Sequence, residues 1–358
     1  MRPIFDAHLD LAWNAIQWDR DLTQPLDAMR QAEAHLTDHP ARGRATVSLP
    51  EMRRGGVAIC LATILARCKP ELRPHNGFDR RGLDFNTAAG CHSMGQAQLA
   101  YYKLMERQGH IRLIRSADDL QQHWSNRAAA QPIGVILAME GADPIVSPEQ
   151  ADDWFAAGLR CVGLAHYGQG RYAMGTGGEG PITPAGRELL RAFERLGVIV
   201  DLTHCAEPGF FDVIDAFGGR VHASHNMCRA LVPGDRQFSD DQIRRLIARD
   251  AVIGMALDAW MLKPGWVRGQ SRPESVSLSA VADHVDHICQ IAGNARHVGI
   301  GSDLDGGFGT EQTPHDLDSI HDLHKLEPLL AARGYSPQDV DGIFFGNWLR
   351  FFCQSLPA

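Results

Sequence analysis

Eight short and nearly continuous apolar segments recur along the chain, separated by longer stretches in which the apolar residues have helical spacing. Several of them, such as the run from Val57 to Leu65, are rich in β-branched side chains, which is typical of parallel strands covered on both faces. The strands predicted from these segments end near His8, Leu65, Met139, Ala165, Thr203, Ser224, Leu257 and Ser302. Eight strands interleaved with helices predict an α/β fold of the (β/α)8, or TIM barrel, type.

The intervening segments carry helix signals of their own. Helices are predicted over 85–108, 148–157, 183–196, 208–216, 277–291 and 337–352, with further helix starts at Ser116 and Ser239. A short strand at 111–114 and the helix that begins at Ser116 fall between barrel units two and three, as a small insertion. A doubly wound open sheet is the structural competitor, but it normally has a glycine-rich loop after its first strand, where this chain has His8-Leu9-Asp10. We therefore favour the barrel and treat residues 1–358 as a single domain.

Composition and charge exclude some classes of partner. The net charge is −8, with 35 Lys+Arg against 43 Asp+Glu, and no cluster of basic residues is long enough to follow a nucleic-acid backbone. No apolar run approaches about 18 residues, so we expect no membrane-spanning helix. The eight cysteines are scattered without a C-x-x-C pair, and no leader-type segment precedes Ile4. We expect free thiols and a cytoplasmic protein.

Polar residues of the metal-ligand type follow the predicted strands directly. They are His8, Asp10, Glu140, His204, His225 and Asp303. The carboxyl ends of all barrel strands meet at one face, so these residues are predicted to converge there. Each has a structural alternative when taken alone: Glu140 as a helix cap, His204 as a packed core histidine, Asp303 as a turn residue. Together they are buried polar groups that need partners, and a metal ion supplies all of those partners at once.

The number of candidate ligands suggests two ions. Three histidines and two carboxylates exceed the three protein ligands usual for one catalytic zinc, and a carboxylate such as Glu140 can bridge two cations about 3.5–4 Å apart. A histidine-rich set favours zinc over magnesium. Such a pair activates a water molecule and polarises a carbonyl, which points to hydrolysis of an amide or ester.

Five separated motifs together resemble the renal, or membrane, dipeptidase family (peptidase family M19) of binuclear zinc hydrolases. In chain order they are Asp6-Ala-His8-Leu-Asp10, Met139-Glu140-Gly141, Val200-Asp-Leu-Thr-His204, His222-Ala-Ser-His225 and Gly301-Ser-Asp303-Leu-Asp305-Gly306. The resemblance covers nearly the whole chain and includes the terminal segment from Gly346 to Arg350. It implies a TIM barrel that holds two Zn²⁺ ions.

The resemblance also implies which residue binds which ion. His8 and Asp10 would bind one zinc, His204 and His225 would bind the other, and Glu140 would bridge both. A hydroxide held between the two ions would then attack the scissile peptide bond.

Three further roles are implied by the resemblance. Asp303 would carry a proton from the bridging water to the leaving amine, and His166 would stabilise the tetrahedral oxyanion. Arg236 would bind the terminal carboxylate of the substrate. Arg229 competes with Arg236 for this role, and we prefer Arg236 because it stands just before the helix start at Ser239.

The implied activity is that of a zinc dipeptidase acting on L,L-dipeptides and, by family precedent, on dipeptides with a D-residue second. A homodimer is implied too. The glycine-rich segment from Gly168 to Gly180 is expected to be a loop over the site. The loop from Tyr167 to Gly177 and the segment 258–266 differ from those of the animal members, so side-chain preference does not carry over. The leader and the lipid-anchor tail of those members are not found, so membrane attachment is not implied.

Two other functions remain open. A binuclear amidohydrolase could act on another small amide, a lactam or an ester, although many of those enzymes use a carboxylated lysine where this chain has Glu140. A metal-bound scaffold without turnover is the third possibility, and Asp303 argues against it because a binder needs no proton carrier.

Overall fold

Eight parallel strands form a nearly closed barrel in the computed structural model, which describes residues 1–71, 82–127 and 132–358. The described residues form these eight strands and three further ones. In chain order they are β1 (Ile4–Leu9), β2 (Val57–Ile64), β3 (Arg67–Cys68), β4 (Asp84–Phe85), β5 (Ile111–Leu113), β6 (Ile133–Met139), β7 (Leu159–Gly163), β8 (Ile199–Asp201), β9 (Val221–His222), β10 (Ile253–Met255) and β11 (Val298–Ile300). The barrel strands are paired in the order β10-β11-β1-β2-β6-β7-β8-β9. The predicted (β/α)8 barrel is confirmed.

The barrel closes between β9 and β10 through a single parallel bridge that joins Ala223 to Ile253. The amide of Gly254 donates to the carbonyl of Ala223 at 2.8 Å. A Cβ atom at Gly254 or at Gly301 would lie 1.8 Å from the carbonyl oxygen of Ser224. Glycine is therefore required at both positions for the last strands to approach each other.

The strand predicted as an insertion extends the sheet. β5 pairs in parallel with the first half of β6, from Ile111 opposite Ile133 to Leu113 opposite Val135. β7 pairs with the second half of β6, and β2 runs along the opposite edge. β5 therefore fills the edge of β6 that β7 does not reach, at the amino end of the barrel.

The helices lie between the strands. They are α1 (Leu11–Gln17), α2 (Leu26–Glu33), α3 (Leu49–Arg54), α4 (Ala88–Arg107), α5 (Ala117–Ser125), α6 (Ala151–Ala156), α7 (Pro184–Leu196), α8 (Glu207–Ala216), α9 (Asp240–Ala248), α10 (Ala259–Leu262), α11 (Leu278–Ala292), α12 (Leu326–Ala332), α13 (Pro337–Asp341) and α14 (Asn347–Ser355). The helix starts predicted at Ser116 and Ser239 are confirmed, since both side chains cap the following helix. Within the described residues, no helix has both the length and the apolar character needed to cross a membrane.

Aromatic side chains of α14 close the amino end of the barrel. Trp348, Phe351 and Phe352 are fully buried in one cluster with inward-facing strand residues such as Phe5. The indole nitrogen of Trp348 donates to the carbonyl of Ile300 at 2.9 Å. With this end filled, the opening of the barrel lies at the carboxyl ends of the strands.

Candidate active site

Glu140 lies at the centre of the carboxyl face, where it follows β6. Its Oε1 atom is 3.2 Å from Nε2 of His204, 3.3 Å from Nε2 of His225 and 3.6 Å from Nε2 of His166. Its Oε2 atom is 3.5 Å from Nε2 of His8. Four imidazoles from four different strand ends therefore surround one buried carboxylate.

Two further carboxylates lie on the His8 side of this centre. Nε2 of His8 is 3.9 Å from Oδ1 of Asp10 and 3.8 Å from Oδ1 of Asp303. The side chains of His8, Asp10 and Asp303 form one group whose ligand atoms lie within 4.8 Å of one another. Similar groups are formed by Glu140 with His8 and His225, and by Glu140 with His166 and His204. All the residues that the sequence proposed as ligands thus lie together, and their individual roles stay predictions.

Two of these residues have a backbone conformation that residues other than glycine rarely adopt. His204 has φ = 64° and Asp303 has φ = 57°. At Asp303 the amide donates to the carbonyl of His8 at 3.2 Å, which ties the end of β11 to the end of β1. Such strain is concentrated where surrounding structure fixes a functional side chain.

A second layer of hydroxyl groups orients the imidazoles. Oγ1 of Thr176 is 2.9 Å from Nδ1 of His204, and Oγ of Ser224 is 2.8 Å from Nδ1 of His225. The same Ser224 oxygen is 3.2 Å from Nδ1 of His8. Because the Nδ1 atoms are engaged, the Nε2 atoms of these three histidines are directed at the centre.

The electrostatics of the centre favour a bound cation. Burial, and then repulsion by Glu140, raises the pKa of Asp10 to about 7. Burial also raises the pKa of Asp303 well above its ordinary value, against the attraction of His8. Burial and the neighbouring His8 lower the pKa of His225 to about 3. Against the effect of burial, Glu140 and the neighbouring carboxylates raise the pKa of His8 to about 10, so the centre attracts positive charge. Anionic carboxylates and neutral imidazoles are the forms that ligate metals, and a bound cation would stabilise the carboxylates in place of the proton on His8.

The donor set fits a transition metal. Nε2 of His8 is buried, and no other atom of the described chain forms a hydrogen bond with it. An unsatisfied imidazole nitrogen is costly in a protein interior unless a ligand completes it. Imidazole nitrogens mixed with carboxylate oxygens suit zinc. The residues present therefore fit a metal centre.

A cavity of about 290 Å³ opens over this centre. Besides Glu140 and Asp303, it is lined by apolar and aromatic side chains on the β1–β2 side and by mixed polar and aromatic side chains near β10. The first group includes Trp13, Trp18 and Leu65, and the second includes Asp258, Trp260, Met261 and Arg268.

The two candidate arginines for carboxylate binding differ in position. Arg236 lines the cavity and is only 2% exposed. Its Nη2 donates to the carbonyl of His225 at 2.9 Å, and its buried Nη1 has no hydrogen-bond partner in the described part of the chain. Arg229 lies outside the cavity wall and pairs with Glu207 at 2.7 Å.

Comparison with known proteins agrees with this geometry. Residues 1–355 match the model of the membrane dipeptidase family, peptidase family M19. The chain belongs to this family. It is 31% identical to dipeptidase aclJ of Aspergillus oryzae over 354 residues, which is 97% of this chain and 77% of that protein. It spans about half the length of some other curated relatives that it matches.

Two solved structures show the same fold as this M19 chain. The metallopeptidase called dipeptidase AC superposes with a TM-score of 0.78 at 24% identity, over 100% of this chain and 99% of that one. A metallopeptidase from Rhodobacter sphaeroides, bound to a phosphinate mimic of the dipeptide L-Ala-D-Ala, superposes with a TM-score of 0.77 at 22% identity, over 99% of both chains. Membership of the M19 family implies metal use, which the clustered donors support.

Some residues of the M19 site escaped the sequence analysis. Arg67 follows β2 and lines the cavity, and Thr176 lies inside the glycine-rich loop. The amide of Thr176 donates to the carbonyl of His166 at 2.9 Å, and a Cβ at Gly175 would lie 1.7 Å from that same oxygen. The loop therefore packs directly against His166, in the segment that follows β7. Neither residue has a motif of its own, because each acts through a contact that only the folded chain forms.

Proposed function

We propose that this chain is a metal-dependent dipeptidase that hydrolyses the single peptide bond of L,L-dipeptides and of dipeptides whose second residue is D. The observation that carries the proposal is that the Glu140 centre and the buried guanidinium of Arg236 line one cavity of about 290 Å³. A hydrolytic centre close to a carboxylate-binding arginine, in a small cavity, suits a very short peptide with a free terminal carboxylate.

The donor geometry supports two zinc ions. His8 and Asp10 would hold one, and His204 and His225 would hold the other. Oε2 of Glu140 faces His8, whereas Oε1 faces His204 and His225, so Glu140 would be a ligand of both ions. When bound, two zinc ions polarise the scissile carbonyl and lower the pKa of the attacking water. The protein supplies the remaining steps.

Proton transfer is assigned to Asp303. Its carboxylate lines the cavity beside His8 and is not needed to complete the two ligand sets. It would accept a proton from the attacking water and deliver it to the amine that leaves.

Binding of the reacting groups is assigned to His166 and Arg236. Burial lowers the pKa of His166 to about 4, so the imidazole is neutral and donates one hydrogen bond. From the cavity wall it would stabilise the negative charge that develops on the carbonyl oxygen. Arg236 would hold the terminal carboxylate with its free Nη1 group.

Tolerance of a D-residue is supported by the Rhodobacter sphaeroides relative, whose ligand mimics L-Ala-D-Ala. We also propose that the protein is a homodimer, on the family resemblance. We further propose that it is cytoplasmic, because its eight cysteines are all free thiols. Light scattering coupled to size-exclusion chromatography tests the dimer.

The proposed function is tested by zinc content and hydrolysis measured on one sample. The protein is stripped with a chelator, reloaded with zinc, and assayed with L-Ala-L-Ala, L-Ala-D-Ala and the amide of L-Ala-L-Ala. We expect two zinc ions per chain, cleavage of both dipeptides, and poor cleavage of the amide because it has no carboxylate. Two zinc ions without any peptide cleavage would favour the alternative amidohydrolase.

A matched pair of variants tests the carboxylate site. Arg236→Met is expected to raise the KM for L-Ala-L-Ala at least about tenfold through loss of a charge-assisted contact. Arg229→Met removes a similar charge from outside the cavity and is expected to leave KM unchanged. The reverse pattern would move the carboxylate site to Arg229.

A further inference from the structure

Asp258 is a buried carboxylate in the cavity wall that the proposed chemistry does not use. It follows β10, caps the amino end of α10 and is 4% exposed. It lines the same cavity as Glu140 and Arg236.

The two oxygens of Asp258 are engaged very differently. Oδ1 accepts hydrogen bonds from Nε2 of Gln312 at 2.7 Å and from the amide of Trp260 at 3.3 Å. Oδ2 faces Nη2 of Arg268 at 3.5 Å, and the Arg268 side chain is 61% exposed. Burial raises the pKa of Asp258 to about 6, against the effect of Arg268. One oxygen is therefore held by the fold, and the other has a weak, solvent-exposed partner.

Asp258 lies in the same part of the wall as Arg236. Nε2 of Gln237, the residue after Arg236, donates to the carbonyl of Met261 in α10 at 3.1 Å. This bond joins the segment that carries Arg236 to the helix that Asp258 caps. A dipeptide whose carboxylate is bound by Arg236 therefore has the side chain of its C-terminal residue close to α10.

We propose that Asp258 makes this enzyme prefer dipeptides whose C-terminal residue carries a basic side chain, lysine or arginine. The inference rests on the proposed dipeptidase function. The cation of the substrate displaces Arg268 and pairs with Oδ2 of Asp258, while its methylene stem lies against Trp260 and Met261. The displaced Arg268 side chain moves into solvent, where it is already largely exposed.

The test compares kcat/KM for three dipeptides that share an N-terminal alanine and end in lysine, norleucine or glutamate. Norleucine is the uncharged match of lysine in length. We expect the wild-type zinc enzyme to favour lysine over norleucine about tenfold, as a charge-assisted contact in a partly enclosed site allows. The glutamate dipeptide is expected to be the poorest of the three.

Two variants assign the preference to its source. Asp258→Asn keeps the helix cap and the Gln312 contact, and is expected to bring the lysine-to-norleucine ratio of kcat/KM close to one. Arg268→Gln removes the competing cation from an exposed position and is expected to raise the ratio further. If Asp258 had a structural role alone, Asp258→Asn would lower kcat/KM equally for all three dipeptides, and that result would overturn the inference.

Other outcomes also decide the matter. Equal rates for lysine and norleucine would overturn the inference while leaving the dipeptidase intact, and so would a preference for glutamate, which would make Arg268 the selecting residue. Failure of the wild-type zinc enzyme to cleave any of the three dipeptides would overturn the proposed function and this inference with it.

Discussion

Nη1 of Arg67 lies 3.4 Å from Nδ1 of His166. Because a guanidinium only donates hydrogen bonds, the neutral imidazole accepts at Nδ1 and carries its proton on Nε2. That Nε2 atom faces the centre, 3.6 Å from Oε1 of Glu140. Arg67 is itself held by Asp84, at 2.7 Å, across the short β3–β4 pair. A residue outside the predicted site therefore sets the tautomer that His166 would need for its proposed role as a donor to the oxyanion.

Replacing Arg67 tests this arrangement. Arg67→Met is expected to lower kcat on the order of tenfold to a hundredfold, since a misdirected donor no longer stabilises the developing charge. KM should change little, and Arg67→Lys should recover part of kcat because lysine also only donates. Steady-state kinetics separate the two constants. A rise in KM at constant kcat would show instead that Arg67 binds the substrate directly.

Replacing Asp303 separates metal binding from proton transfer. Asp303→Asn keeps the size of the side chain and is expected to retain two zinc ions per chain while kcat falls by about 10²–10⁴. Elemental analysis and dipeptide hydrolysis on one preparation give both quantities. Asp305→Asn is the matched control: Asp305 accepts from Thr46 and Val47 and lies 3.4 Å from Arg20, so its loss should reduce stability rather than chemistry. If Asp303→Asn still hydrolysed dipeptides at the wild-type rate, Asp303 would not be the proton carrier.

Thr176 offers a test of the hydroxyl groups behind the histidines. Thr176→Val keeps the shape of the side chain but removes the bond to Nδ1 of His204. We expect zinc affinity to fall by about 10–100-fold, as for other second-layer partners of metal ligands. Competition with a chromophoric chelator measures the affinity. Thr23→Val, outside the cavity, is the control and should leave it unchanged, and an unchanged affinity in both variants would show that Thr176 does not orient His204.

The closed end of the barrel predicts a large effect on stability. Trp348 is fully buried against Phe5 and Phe352, and its replacement by alanine is expected to cost about 3–5 kcal/mol of unfolding free energy. Trp348→Phe should cost less, because the ring volume is partly kept. Urea denaturation followed by circular dichroism measures both. Leu104→Ala, at a position that is 40% exposed, should be nearly neutral.

Much of the fold could be predicted from the sequence because buried parallel strands leave long apolar runs. All eight barrel strands lie where the apolar segments predict them. The two-residue strands β3 and β4 were not predicted, since two residues show no periodicity. The last predicted helix, 337–352, is interrupted by a π-helical turn at Gly342–Gly346, between α13 and α14. Short helices such as α3 and α12 were missed because one or two turns carry a weak amphipathic pattern.

The candidate site shows the same limit at the level of single residues. Glu140 and the histidines could be proposed because each follows a strand directly, and strand ends in a barrel share one face. Arg67 and Asp258 also follow barrel strands, but in segments that show no regular pattern in the sequence, and an arginine or aspartate in such a segment is usually a surface residue. Their importance depends on what lies opposite them, which only the folded chain shows.

The position of α14 affects the order in which this molecule can be completed. Its aromatic residues fill the amino end of a barrel whose first strand, β1, carries Phe5 at that end and His8 at the other. α14 follows every barrel strand in the chain, so on the ribosome it is made after β1. His8 therefore stands at one end of a strand whose other end stays unpacked until α14 has been made, and the centre can become rigid only then.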